Sequence, residues 1–343
     1  MANKKYLITG GCGFLGSNIA AKLIESGQEV IVFDNLYRFG ASENLDWLKK
    51  KGEFTFLHRD IRNSSDVQNA IKQTTPDVIF HLAGQVAMTT SVERPSFDFD
   101  INVAGSFNLL EAVRHYSPDS VIIYSSTNKV YGDMEQYTYE ENESRYICNE
   151  FPNGFNEEVT LNFSSPYGCS KGAADQYMLD YYKMFGIKTV VFRHSSIFGG
   201  RQFSTFDQGW VGWFIQQGIL QAKDENHPKF TVSGNGKQVR DLLFVDDAIN
   251  CYLSAYSNID KVKGQAFNIG GGFDNSLSII ELFQYLEEKY KSKLRYEHIE
   301  KRASDQKVFI AETSKINSMT GWNPSIDRKT GLDKMCDWIE GQL

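Results

Sequence analysis

The stretch YLITGGCGFLGSN at residues 6–18 constrains this chain more than any other. An apolar run of strand type ends at Thr9, the glycines Gly10, Gly13 and Gly16 follow, and a helical pattern opens with Phe14 and Leu15. Glycines in this context allow a tight turn, close approach of backbone to a pyrophosphate, and close packing of helix on strand. The helix start then offers free backbone N–H groups to the phosphates. Asp34 closes the next apolar run, EVIVFD. A carboxylate there accepts hydrogen bonds from ribose hydroxyls and repels a 2′-phosphate, which favours NAD over NADP. Asn35 stands beside it, and Arg38, four residues on, is the one nearby group that suits the phosphorylated form. Asp60 and Ile61 after the third run are placed to flank adenine; Leu82, Ala83, Gly84 and Gln85 after the fourth are placed to line the dinucleotide.

The same rhythm continues. Apolar runs KYLI, EVIVFD, FTFLH, DVIFHLA, SVIIYSS and KTVVFR alternate with segments whose apolar residues recur at three and four. Apolar strands separated by amphipathic helices predict a doubly wound, mostly parallel α/β sheet of Rossmann type. Gly27 and Gly186 stand where helices should stop. We expect an NAD-binding domain over residues 1–194, with a long polar and aromatic insertion at 133–165 as a lid or site-flanking loop. Beyond residue 195 the rhythm weakens, which points to a smaller mixed α/β substrate-binding domain over 195–343. A segment near 241–270, containing AFNIG, is expected to return to the first domain.

Composition narrows the partners. A formal net charge of -7 and no basic cluster longer than WLKKK argue against nucleic acid. No apolar segment approaches membrane-spanning length. Five scattered cysteines without paired spacing argue against disulfides or a metal centre and suit a reducing cytoplasm.

Chemistry enters with Thr127, Tyr167 and Lys171. Tyr167 and Lys171 lie four apart just after Ser165-Pro166, so they share one face of a helix start. An ammonium beside a tyrosine lowers its proton affinity toward neutral pH. Thr127 ends a parallel strand, where doubly wound folds place ligands.

In this order TGGCGFLG, Asp34, HLAG, YSST, YGCSK and VRD resemble the extended short-chain dehydrogenases/reductases that modify nucleotide sugars. The resemblance implies that Tyr167 is general base and acid, that Thr127 orients a substrate hydroxyl, and that Lys171 binds nicotinamide ribose. It adds Asn102, Ser125 and His194 to the cofactor set. It implies Arg240 and Arg302 as a diphosphate clamp, with Asn128, Ser196, Gln202 and Asp305 as further substrate contacts. Phe203, Phe206, Trp210 and Trp213 are assigned to core or dimer packing rather than to base or sugar. The resemblance also implies a homodimer through the helices containing INVAGSFNLLEAV and ADQYMLDYY.

Thr127 is followed by Asn128-Lys129, where 4,6-dehydratases of that family carry Asp-Glu. An amide does not exchange protons usefully and an ammonium is a poor base for a carbon acid, so dehydration is disfavoured. Longer blocks, including SSTNKVYGD and TFDQGWVGWF, resemble the family's 2-epimerases of CDP-sugars. The alternatives are a UDP-hexose 4-epimerase, a nucleotide-sugar 4,6-dehydratase and a non-catalytic NAD sensor.

Overall fold

Strands β1 (Lys5–Thr9), β2 (Glu29–Asp34), β3 (Thr55–His58), β4 (Val78–His81), β5 (Val121–Thr127), β6 (Lys188–His194) and β7 (Gln265–Ile269) form one parallel sheet in the order β7-β6-β5-β4-β1-β2-β3. The structure is a computed structural model that describes residues 4–302 and 304–343. Side chains alternate across a strand, and both faces of this sheet are covered. Tyr6 and Ile8 of β1 therefore enter one core and Leu7 the other; Val30 and Val32 of β2 part from Ile31 and Phe33 in the same way. Each fully buried Leu, Ile, Val or Phe contributes roughly 1.5–3 kcal/mol.

Helices α1 (Phe14–Glu25), α2 (Ala41–Lys49) and α6 (Val245–Ser257) supply the first core, with Ile19, Leu23, Leu45 and Ala248. Helices α3 (Ser64–Thr74), α4 (Gly105–Tyr116) and α5 (Pro166–Phe185) supply the second, with Ile71, Leu109, Val113 and Met178. Asn63 caps α3 by accepting from Ser65 N at 3.1 Å. The strand order reverses between β1 and β4, which opens a crevice at their carboxyl ends.

The remaining chain forms a second lobe. Its mixed sheet joins Ser196–Phe198, Val239–Phe244, Ser276–Ser278 and Val308–Phe309, and a parallel pair joins Phe230–Ser233 to Tyr296–Ile299. The expected return of chain is present but narrower than 241–270. Helix α6 and strand β7 go back, and β7 pairs with β6 from Gln265↔Val190 to Ile269↔His194. Residues 241–244 stay in the second lobe, because Asp241 pairs with Ser276 and Leu242 with Ser196.

The 133–165 insertion builds a third core cluster. It packs on the second lobe: Met134, Cys148, Phe155 and Val159 share a core with Val239, Val308, Phe309 and Ile310. Arg145 fastens it to Glu281 at 2.6 Å, and Phe155 pairs with Ala311. Buried aromatic contacts of this kind fasten the insertion to the second lobe. Among the described residues no helix is long and apolar enough to cross a membrane.

Candidate active site

The crevice continues into a cavity of about 550 Å³ that runs from the glycine turn to the second lobe. At the glycine end, Gly10 has φ +70°, and a Cβ there would lie 2.7 Å from Ala83 N. A Cβ at Gly16 would meet Gly10 O at 2.2 Å. Only glycine lets strand, turn and helix close this tightly. Beneath the turn, His81 joins Thr9 at 2.8 Å and Ser106 at 2.9 Å, and burial holds its pKa at about 3. It is a neutral tie between strands and helix.

Gly13, Phe14 and Leu15 line the wall above. Asp34 Oδ2 accepts from Cys12 N at 2.9 Å and Oδ1 from Leu36 N at 2.8 Å. Burial raises the Asp34 carboxyl, against those backbone donors. Asn35 donates to Asp60 at 3.0 Å, and the Arg62 guanidinium beside Asp60 holds it at about 2. Ile61, Leu82, Ala83, Gly84 and Gln85 line the same space. Arg38 lines it too, and its principal opposite charge is Asp207 from the second lobe.

Asn102 is buried. It lies behind the wall, where its amide accepts from Gln85 N at 2.9 Å and donates to Gln85 O and Ser170 Oγ, each at 3.0 Å. It braces the groups that touch the cavity and does not face it. The Asp98 carboxylate, absent from the sequence reading, completes this cluster through Gln85 at 2.9 Å.

The chemical end is built by two local features. Thr127 Oγ1 ends β5 and caps the turn Asn128–Tyr131 by accepting from Lys129 N at 3.2 Å. Ser165 caps α5 by accepting from Gly168 N at 3.0 Å, with Pro166 in the first helical position. Tyr167 and Lys171 thus project from the first turns of α5 toward the end of β5. Lys171 Nζ donates to Ser125 O at 2.5 Å and lies 4.4 Å from the centre of the Tyr124 ring. Burial pushes Lys171 down to about 7, opposed by Asp98 and Asp175. Burial pushes Tyr167 up to about 12; its hydrogen bond with Thr127 lowers it and Asp98 raises it. The lowering expected from Lys171 is not among the causes; a phenolate here loses water and feels the Asp98 carboxylate. His194 meets Ser125 Oγ at 3.3 Å and Tyr252 OH at 2.8 Å, and burial holds it at about 3.

At the far end Arg240 Nη2 donates to Asp305 Oδ1 at 2.8 Å, and Arg302 sits 5.2 Å over the Phe206 ring; both guanidiniums line the cavity. Ser196 accepts from Trp210 Nε1 at 3.1 Å. Gln202 donates to Ile197 O at 3.2 Å, while its Oε1 is buried without a partner among the described residues. The amide nitrogen of Asn128 is held by Gln306 at 2.7 Å. Phe203 and Trp210, assigned to packing, stand on the cavity wall together with Lys129 and Asp207. The sequence carried no period that marks them, since their neighbours come from distant chain.

A family model described as GDP-mannose 4,6 dehydratase matches residues 7–335. The chain belongs to this family. The family sits in the extended short-chain dehydrogenase/reductase superfamily. Within its reach, a CDP-paratose 2-epimerase from Salmonella typhi is 57% identical over 97% of this chain and 98% of its own. A putative UDP-glucose 4-epimerase from Methanocaldococcus jannaschii is 32% identical over 97% and 98%. The solved UDP-glucuronic acid 4-epimerase from Bacillus cereus, in complex with UDP-glucuronic acid and NAD, superposes with a TM-score of 0.83. It is 25% identical and covers 99% of this chain and 100% of its own.

Proposed function

We propose that the protein is an NAD-dependent epimerase that inverts carbon 2 of a CDP-sugar of the CDP-paratose/CDP-tyvelose type. The 57% identity to a CDP-paratose 2-epimerase, over nearly the whole of both chains, carries this reading. The family is named for a dehydratase, but Asn128 and Lys129 follow Thr127 here, so the carboxylate pair for eliminating water is missing.

The residues fit NAD. The glycine turn leaves no Cβ in the phosphate cradle, and Asp34 stands at the ribose position with its side chain lining the cavity. Bound NAD supplies a hydride acceptor and, after the sugar has turned over, the hydride donor. Gly13, Phe14 and Leu15 would hold the pyrophosphate end, and Lys171 the nicotinamide ribose. Tyr167, ionised beside the nicotinamide cation that NAD would bring, would take the proton of the carbon 2 hydroxyl as the 2-keto sugar forms and return it afterwards. Thr127 orients that hydroxyl and shares its hydrogen bond with the phenol. Arg240 and Arg302 would keep the nucleotide diphosphate fixed while the sugar ring presents its other face.

The fit extends to assembly and setting. Phe107 on α4 and Tyr177, Met184 and Phe185 on α5 are exposed apolar side chains on adjacent helices, which supports a homodimer through these faces. Five free cysteines suit a reducing cytoplasm.

The test is an NMR assay with CDP-paratose, CDP-glucose, UDP-glucose and dTDP-glucose. Inversion at carbon 2 of a CDP-sugar is expected. Inversion only at carbon 4 of UDP-glucose, or a 4-keto-6-deoxy product, would overturn the reading.

A further inference from the structure

Asn128 and Lys129 both reach across the cavity floor to Ser304–Gln306 of the second lobe. Asn128 Nδ2 donates to Gln306 Oε1 at 2.7 Å, and Gln306 Nε2 donates back to Asn128 O at 3.3 Å and Gly132 O at 2.7 Å. Lys129 Nζ donates to Ser304 O at 3.1 Å and lies 3.7 Å from Asp305 Oδ1. That same oxygen takes the Arg240 donor at 2.8 Å. The Lys129, Asp305 and Arg240 side chains are 14%, 21% and 11% exposed, and all three line the cavity. Two cations thus brace one carboxylate oxygen, while Asp305 Oδ2 meets no donor among the described residues.

Resting on the functional reading above, we propose that Lys129 is a positioning and specificity-determining residue: it holds Asp305 as an ionised acceptor for a hydroxyl of the nucleotide sugar. A carboxylate braced by two cations accepts hydrogen bonds but does not hand over a proton. Proton transfer then stays with Tyr167, and Asp305 reads the orientation of the ring. The cation thereby turns a position that serves acid–base chemistry in dehydratases into a binding position.

Arg240 on Val239–Phe244, Asp305 with Lys301 and Arg302 on the segment before it, and Asp133 beyond the turn are the charged groups that face this pair. Burial and Arg240 lower Lys129 to about 8, against Asp305 and Asp133, and the surrounding cations hold Asp305 below the usual carboxylate range. The bracing should therefore weaken as pH rises through about 8.

The experiment compares Lys129→Met, Lys129→Arg and Asp305→Asn holoenzymes with the unaltered protein. Calorimetry measures binding of CDP-paratose and of CDP alone; kinetics give kcat and KM from pH 6.5 to 9.5. Lys129→Met and Asp305→Asn should weaken CDP-paratose about tenfold or more relative to CDP, the loss expected for a hydrogen bond to a charged group. KM should rise with kcat little changed, Lys129→Arg should restore KM, and the alkaline rise in KM should vanish in Lys129→Met. Unchanged binding in Lys129→Met, no rescue by arginine, or loss of kcat at constant KM would each overturn the proposal. An unaltered protein that binds no CDP-paratose would instead overturn the functional reading.

Discussion

Asp175 and Arg193 meet in a bidentate ion pair, with Nε to Oδ2 at 2.9 Å and Nη2 to Oδ1 at 3.0 Å. Asp175 lies one helical turn beyond Lys171 on α5, and its Oδ2 also accepts from Ser126 of β5 at 2.8 Å. Arg193 of β6 further donates to Tyr131 at 3.1 Å. One buried pair thus clamps α5, β5 and β6, and with them Tyr167 against Thr127. Arg193→Met leaves a buried carboxylate without its cation. It should destabilise the protein by roughly 3–5 kcal/mol, read as a lower midpoint in urea denaturation.

Tyr167→Phe keeps the buried ring and removes the proton carrier. Its kcat should fall by roughly 10²–10⁴ while bound NAD is retained. Steady-state rates combined with cofactor content after gel filtration check this. Activity close to that of the unaltered protein would remove Tyr167 from the reaction.

Asp34→Ala should narrow the preference for NADH over NADPH. NADH affinity is expected to fall about tenfold or more, with NADPH weakened less, because the lost carboxylate accepted from ribose and repelled phosphate. Fluorescence titration with the two reduced dinucleotides distinguishes this from general loosening of the turn, which would weaken both alike.

Asp241 gives a stability signature. Its carboxyl is fully buried, and burial raises it to about 6 although Gly272 N and Ala311 N donate to Oδ2 at 3.1 and 3.2 Å. A folded value above the unfolded one means that its contribution is complete below about pH 4 and is lost as pH rises through about 6. The loss is about 3 kcal/mol by linkage. Asp241→Asn should remove it. Unfolding free energies of the two proteins, compared between pH 4 and 7, should converge at the acid end, part between about pH 4 and 6, and stay a constant distance apart above that. The comparison cancels His81 and His194, which stay neutral by burial in both.

The inner strands of the first domain were legible because both of their faces are buried and their runs read as apolar, whereas β3 at the sheet edge is exposed at Thr55 and His58. The glycine turn, Asp34, Thr127, Tyr167 and Lys171 were legible because each sits at an element end with a local signature. For Asn102 the sequence gives no sign of whether a buried amide faces a cavity or braces a loop. For the insertion at 133–165 the sequence leaves a lid and a site-flanking loop both open, for a similar reason. Its partners, Val239, Glu281 and Val308–Ala311, lie far along the chain and leave no periodicity. The work of Asn128 and Lys129 was hidden in the same way, in pairings to residues 304–306.

The most direct test is to incubate the purified protein in ordinary water with CDP-paratose carrying deuterium on carbon 2, and to follow the sugar by NMR. The account predicts CDP-tyvelose with the label still on carbon 2, because hydride leaves and returns within one closed site. An inverted product that has lost the label to solvent, or no inversion at carbon 2, would contradict it.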